Sequence, residues 1–327
     1  MLSRTFLPRL FRLLPAVALL GAAGISQAQS IKIGLPVPLT GPYGAEAQDQ
    51  VRNAELAVKE FNGAGGLAGR KAELLVRDDR LNPGEAATRA LELIEKDGAN
   101  FIVGGLSAAT QLSINNVTKQ RKTLYISISQ SDAINEATDA SPYTFHEALN
   151  PHMTTQAVGR YAFKSGTKVA FLTADYAYGH EMTRGFTAVA KQLGAVVVGE
   201  VKHPLGASDY SAFLPRIRAM NPDVLVFNNF GADNRISIKQ AGDFGMKKQM
   251  QFVTPIMTYT ARVSGGASTY EGVIDLPPLT VPTDWRSPGL KVNRSFVFAH
   301  CQQHRQRAGG AAGQIVPAGC VPDCCAA

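Results

Sequence analysis

The stretch Ile31-Lys32-Ile33-Gly34-Leu35-Pro36-Val37, followed by Pro38-Leu39-Thr40-Gly41-Pro42-Tyr43-Gly44, sets the pattern for the rest of the chain. A short apolar run gives way to a loop of proline and glycine, and a helix-length amphipathic segment follows at 45–62. The same succession recurs downstream. Strand-like runs are expected at 31–36, 72–77, 101–104, 123–127, 168–173, 195–201, 224–227 and 251–254. Helix-length segments separate them at 45–62, 83–96, 108–119, 151–164, 181–193, 210–220 and 232–244. Near-continuous Val/Ile/Phe runs bounded by turn residues fit strands buried on both faces of a parallel sheet. Their alternation with helices calls for right-handed crossovers and a doubly wound α/β architecture. Local signals agree. Asn82-Pro83 places a capping side chain before a proline suited to the first helical turn, and Glu85 sits at the positive end of the dipole. Asn62-Gly63 and Leu193-Gly194 read as helix stops.

Eight strands over about 230 residues are natural for two lobes of ordinary domain size. The periodicity breaks at 141–151, Ser-Pro-Tyr-Thr-Phe-His-Glu-Ala-Leu-Asn-Pro. The expected division is an export signal at 1–28, a first lobe at 29–148, a second at 149–280, and a return crossover with an unstructured tail at 281–327. Ligands of doubly wound sheets sit beyond the carboxyl ends of the strands. The loops that matter are therefore 37–44, 78–82, 104–107, 127–133, 174–179, 228–231 and 255–260.

Arg4, Arg9 and Arg12 precede an apolar run from Leu13 to Ala23, and Ser26-Gln27-Ala28 supplies a small-x-small cleavage pattern. The run is too short to span a bilayer and contains Pro15, so a cleaved signal and a periplasmic destination are expected. The net charge of +7 comes from the ends, because residues 29–285 carry 25 basic and 25 acidic side chains. A neutral body offers no field for a phosphate backbone, so nucleic acid is not an expected partner. Cys301, Cys320, Cys324 and Cys325 all fall near the C-terminus. Their spacing does not make a paired Cys-x-x-Cys zinc framework, and no metal or cofactor is expected.

Enzymatic readings find little support. The first loop lacks Gly-x-Gly-x-x-Gly, which a dinucleotide fold needs for close approach of backbone amides to a pyrophosphate, and no P-loop follows. Gly105-Leu106-Ser107-Ala108-Ala109 resembles a nucleophile elbow without its last glycine, and no histidine sits in a supporting motif. Ser107 has two other readings, as a plain helix cap or as a hydroxyl beside free amides that holds an anionic group. Asp175-Tyr176-Ala177-Tyr178-Gly179 and Asn228-Asn229-Phe230-Gly231 place aromatic rings after strands. Such rings either enclose a ligand or pack beneath their loops.

Taken in order, several segments resemble the periplasmic binding proteins of branched-chain amino-acid importers, the type I Venus flytrap family. They are the opening 31–44, Asn62-Gly63-Ala64-Gly65-Gly66-Leu67, Gly69-Arg70, Arg77-Asp78-Asp79, Val103-Gly104-Gly105-Leu106-Ser107-Ala108-Ala109-Thr110, the Asp175 loop and Asn221-Pro222-Asp223. The resemblance runs from Ile31 to about Trp285. It implies two Rossmann-like lobes around an interlobe cleft, hinge closure on a small solute, and delivery by a monomer to an ABC permease with cytoplasmic ATPases. It implies no catalysis. A receptor or regulator on the same fold is the alternative. By the same resemblance, Ser107 and Ser131 match the hydroxyls that take a ligand carboxylate, and Tyr43, Tyr178 and Phe230 match aromatic positions around it. Gln130 and Tyr176 are adjacent candidates.

Two departures stand out. Amino-acid-binding members carry an acidic residue just after the proline that ends the strand Val253-Thr254-Pro255, and here that position is Ile256. Without that carboxylate an enclosed ammonium lacks its counter-charge unless another acid, such as Asp175 or Asp233, supplies it. The expected ligand is therefore an amino-acid-like solute or an amine-free carboxylate, aromatic acid or amide. Beyond about 298 the chain loses the family's pattern and becomes a Cys/Pro/Gly-rich tail. This predicts a frameshift or truncation, with 300–327 forming no packed element.

Overall fold

The computed structural model describes residues 29–136 and 138–275. The expected export signal, the return crossover and the tail with its four cysteines lie outside the described residues.

The first lobe runs β1 Ile31–Val37, α1 Gly44–Gly63, β2 Ala72–Asp78, α2 Pro83–Glu95, β3 Phe101–Gly104, α3 Ala108–Arg121, β4 Leu124–Ser127 and β5 Thr144–His146. Its five strands are all parallel, in the order β2-β1-β3-β4-β5. The second runs α4 Pro151–Ala162, β6 Lys168–Ala174, α5 Ala177–Leu193, β7 Val196–His203, α6 Leu214–Ala219, β8 Val224–Asn228, α7 Gly231–Asp243, β9 Gln251–Val253, α8 Tyr259–Gly265 and α9 Ala267–Tyr270. Its sheet is also parallel, ordered β7-β6-β8-β9. Each lobe sends its second strand to one side of the first and its third to the other. The carboxyl ends of β1/β3 and of β6/β8 thus form two topological switch points, where such sheets bind ligands.

Both faces of each sheet are covered. In the first lobe Leu35, Val37 and Ala47 pack with Val51, Ala54 and Val76. Ala86, Ala90, Leu93, Ile102, Ile114 and Tyr125 form a separate cluster with α2 and α3. In the second, Leu172, Leu225, Phe227, Ile217 and Ile238 fill the main core. This double burial is why β6 and β8 read as unbroken apolar runs rather than alternating ones. Among the described residues no helix is long and apolar enough to cross a membrane.

Asn82 caps α2, its side chain accepting from Gly84 and Glu85 amides with Pro83 at the first turn. Gly194 ends α5 in the left-handed region at φ 73°. Three local expectations change. Strand β5 lies within the stretch taken as a break in periodicity; it is a three-residue edge element with Phe145 exposed, visible only through its pairing with β4. Helix α6 begins at Leu214 rather than 210, because Pro215 cannot donate within a helix and is tolerated only in its first turn. Helix α5 begins at Ala177, a turn before the expected start, bringing Tyr178 into the helix.

Candidate functional site

A cavity of about 200 Å³ lies between the lobes, lined by Gln50, Leu106, Ala108, Ile128, Ser129, Gln130, Ala148, Tyr176, Tyr178, Phe230 and Ile256. At ~30 Å³ per water this volume suits a small solute. Apart from Gln50 on α1, the wall comes from residues at or just beyond the carboxyl ends of β3, β4, β5, β6, β8 and β9.

Of the eight residues singled out from sequence, Gln130, Tyr176, Tyr178, Phe230 and Ile256 share this wall. Tyr43 stands behind it, fully buried, with its hydroxyl 2.6 Å from that of Tyr176 and its ring edge-on to Phe230 at 5.1 Å. Tyr176 and Tyr178 lie 5.9 Å apart, tilted by 33°. Rings from the loops after β1, β6 and β8 thus meet in one cluster joining the lobes. Gly231 allows the approach: at φ 60°, a Cβ there would come within 2.7 Å of the Tyr43 ring. Gly179, in the same lobe, lets α5 start close against the end of β6, where a Cβ would fall 2.1 Å from the carbonyl oxygen of Ala174. Burial pushes the phenols of Tyr43, Tyr176 and Tyr178 well above their ordinary range, so all three are neutral groups.

Ser107 and Ser131 are placed differently. Ser107 caps α3, accepting from the Thr110 amide at 3.1 Å in a reciprocal capping box, and is 2% exposed; its neighbours Leu106 and Ala108 line the cavity and it does not. The Ser131 hydroxyl donates to Glu181 Oε1 of α5 at 2.9 Å. The serine on the wall is Ser129, whose hydroxyl donates to the Leu106 carbonyl at 2.9 Å. The Ser129 carbonyl in turn accepts from Gln111 Nε2 at 3.1 Å and from His146 Nε2 at 2.6 Å. The loops after β3, β4 and β5 are tied together by these bonds.

The wall carries no carboxylate and no cation among the described residues. Asp175 is exposed and pairs with His180 at 2.7 Å and Lys202 at 3.8 Å. Asp233 is buried and accepts twice from the Gly206 amide, at 3.1 and 3.0 Å; burial lifts its carboxyl to about 6. Glu46, one turn before Gln50, is also buried and raised by that burial. None of the three lines the cavity. Other contacts cross between the lobes: Ala232 N donates to the Pro42 carbonyl at 3.2 Å, Thr260 bonds Asp49, and Asp132 N donates to Glu181 Oε2 at 2.8 Å.

Sequence reasoning missed Gln50, Ile128, Ser129, Ala148 and Glu181. Ser129 and Ile128 lie in a strand-end loop already marked for attention. Gln50 and Glu181 are helical residues, and only the packing of the helices brings them to the cleft. Among the described residues no group of three or more His, Cys, Asp or Glu is placed to hold a metal ion.

Known proteins share this architecture. A solved periplasmic binding protein from Burkholderia mallei is 32% identical, with a TM-score of 0.68 over 73% of this chain and 64% of that one. A solute binding protein of an ABC transporter from Rhodopseudomonas palustris, solved with 3,4-dihydroxy benzoic acid, is 26% identical with a TM-score of 0.59, covering 69% of this chain and 61% of that one. A Leu/Ile/Val-binding protein homolog 4 of Brucella abortus is 28% identical over 282 residues, 80% of this chain. The chain spans 65% of the length of that relative. The general model of the family described as periplasmic binding protein matches residues 30–297, and with two parallel-sheet lobes around a strand-end cavity this chain belongs to that family.

Proposed function

We propose that this protein is the extracytoplasmic solute-binding component of an ABC importer, exported through residues 1–28 and working as a periplasmic monomer. Lobes at 29–148 and 149–280 close on a small ligand, and the closed form is handed to permease subunits with their ATPases. Gln130, Tyr176, Tyr178, Phe230 and Ile256 contact the ligand, and Tyr43 braces them from behind. On this reading the site binds its ligand without reacting with it, in keeping with a family of binding proteins.

The observation that carries the reading is a cavity walled by strand-end loops of both lobes with no ionisable group but neutral tyrosines. With Ile256 in place of an acid, an ammonium enclosed here forgoes an ion pair, a loss of about 3–5 kcal/mol. The ligand on this reading is an amine-free carboxylate, aromatic acid or amide. Because the wall holds no cation either among the described residues, its polar end is met by the neutral groups of Ser129, Gln130, Tyr176 and Tyr178 rather than by an ion pair. The R. palustris relative solved with 3,4-dihydroxy benzoic acid supports the aromatic-acid reading.

Calorimetry of the full chain against leucine, valine, benzoate, 3,4-dihydroxybenzoate and benzamide tests it. An amine-free member should bind at least a hundredfold tighter than leucine. Tight leucine binding overturns the ligand class, and turnover of any member overturns the binding role.

A further inference from the structure

We infer that Glu181 is an interlobe latch: its carboxylate, projecting from α5 of the second lobe, grips a two-donor turn of the first lobe and holds the cleft closed without touching the ligand. The inference rests on the solute-binding reading above and adds a positioning residue to it.

Each oxygen of Glu181 has its own donor. Oε1 takes the Ser131 hydroxyl at 2.9 Å, and Oε2 takes the Asp132 amide at 2.8 Å. Ser131 is held in pose because its oxygen also accepts the Ala133 amide at 3.2 Å. Both partners are buried, Glu181 at 6% and Ser131 at 0% exposure. The latch is next to the cavity on both sides. Gln130, adjacent to Ser131, lines the wall, as does Tyr178, one helical turn before Glu181. Three residues of separation put Tyr178 and Glu181 on neighbouring positions of one helix face. Fastening Glu181 to Ser131 and Asp132 therefore sets the spacing of Gln130 against Tyr178.

The chemistry suits a reversible contact. Charge-assisted hydrogen bonds are stronger than neutral ones, yet a carboxylate taken out of water gives back much of that gain. When the lobes part, the carboxylate, the hydroxyl and the amide all return to solvent, so neither state strands a polar group. A ligand requiring the closed form then binds with an affinity scaled by the closed fraction.

The test uses the full chain and the variants Glu181→Ala, Glu181→Gln and Ser131→Ala, with Ser131→Ala/Glu181→Ala as the double variant. Small-angle scattering of the ligand-free proteins reads lobe separation, and stopped-flow reads dissociation of 3,4-dihydroxybenzoate or of the tightest-binding member of the panel. Glu181→Ala should increase the radius of gyration and speed dissociation by about tenfold or more. Ser131→Ala should act in the same direction by a smaller factor, and the double variant should fall short of the product of the two. Glu181→Gln, matched in shape, guards against a folding defect in the alanine variant. Unchanged scattering and dissociation in folded Glu181→Ala or Glu181→Gln overturns the latch. If the wild-type chain binds no panel member, the proposed ligand class fails by itself, while the ligand-free scattering comparison still decides the latch.

Discussion

Replacing Tyr43 by Phe removes one oxygen and keeps the ring that meets Phe230 edge-on at 5.1 Å. What is lost is the 2.6 Å hydroxyl contact with Tyr176, a bond between lobes. Tyr43 is fully buried, so no water replaces its hydroxyl in the closed form, and the Tyr176 hydroxyl is left to the cavity. An unsatisfied buried donor costs about 1–3 kcal/mol, and partial access to cavity water puts this case near the lower half of that range. In a lobe-separated state both hydroxyls are hydrated and the substitution is nearly neutral. The loss therefore falls on closure: ligand affinity should drop about 5- to 30-fold, with ligand-free unfolding stability changed by less than about 0.5 kcal/mol. Calorimetry with the tightest panel ligand and urea unfolding without ligand measure the two quantities. Tyr176→Phe should reproduce the affinity loss, and the double variant should lose less than the sum. An equal loss of stability with affinity untouched would refute the reasoning, because the pair would then belong to a permanent core.

Ile256→Glu places a carboxylate on a wall that has none among the described residues. Leucine binding should strengthen by about 10- to 100-fold and that of carboxylic acids should weaken by a similar factor, net of the cost of burying the new charge; calorimetry with both ligands reads the exchange. Asp233 gives a pH signature. Its folded carboxyl is raised to about 6, from an unfolded value near ~3.9, so its contribution to stability is complete below about pH 4 and is lost as pH rises through 6. Two units correspond to about 3 kcal/mol. Asp233→Asn should flatten the pH dependence of the urea midpoint in that window and stabilise the protein at pH 7. Asp79, also raised to about 6, should leave a residual slope.

Strand-end loops were legible because their chemistry is local. The proline-broken loop after β1 excluded a pyrophosphate site from its missing amides alone, and the runs of β6 and β8 announced burial on both faces. Asn82-Pro83 and Gly194 marked helix ends through backbone geometry that depends on no distant partner. Tyr176, Tyr178 and Phe230 could be placed after strands, and Ile256 could be set against an expected acid, before any contact was known. Strand β5 could not, since three residues with an exposed Phe145 carry no periodic signal and exist as a strand only by pairing with β4.

Tertiary structure alone decided how hydroxyls and carboxylates were apportioned. The family resemblance matches Ser107 and Ser131 to hydroxyls that take a ligand carboxylate, but a hydroxyl's partner depends on what is folded against it. Thr110 takes the first and Glu181, 50 residues away, takes the second. Ser129 reaches the wall because its loop is bent by bonds to Leu106, Gln111 and His146. Asp175 and Asp233 look alike in sequence, yet one is exposed beside His180 and Lys202 and the other is dry against a backbone amide. Strand and helix are chosen by interactions within a few residues. The charge and wetness of a cleft are chosen by groups brought together from both lobes, and no local pattern encodes that meeting.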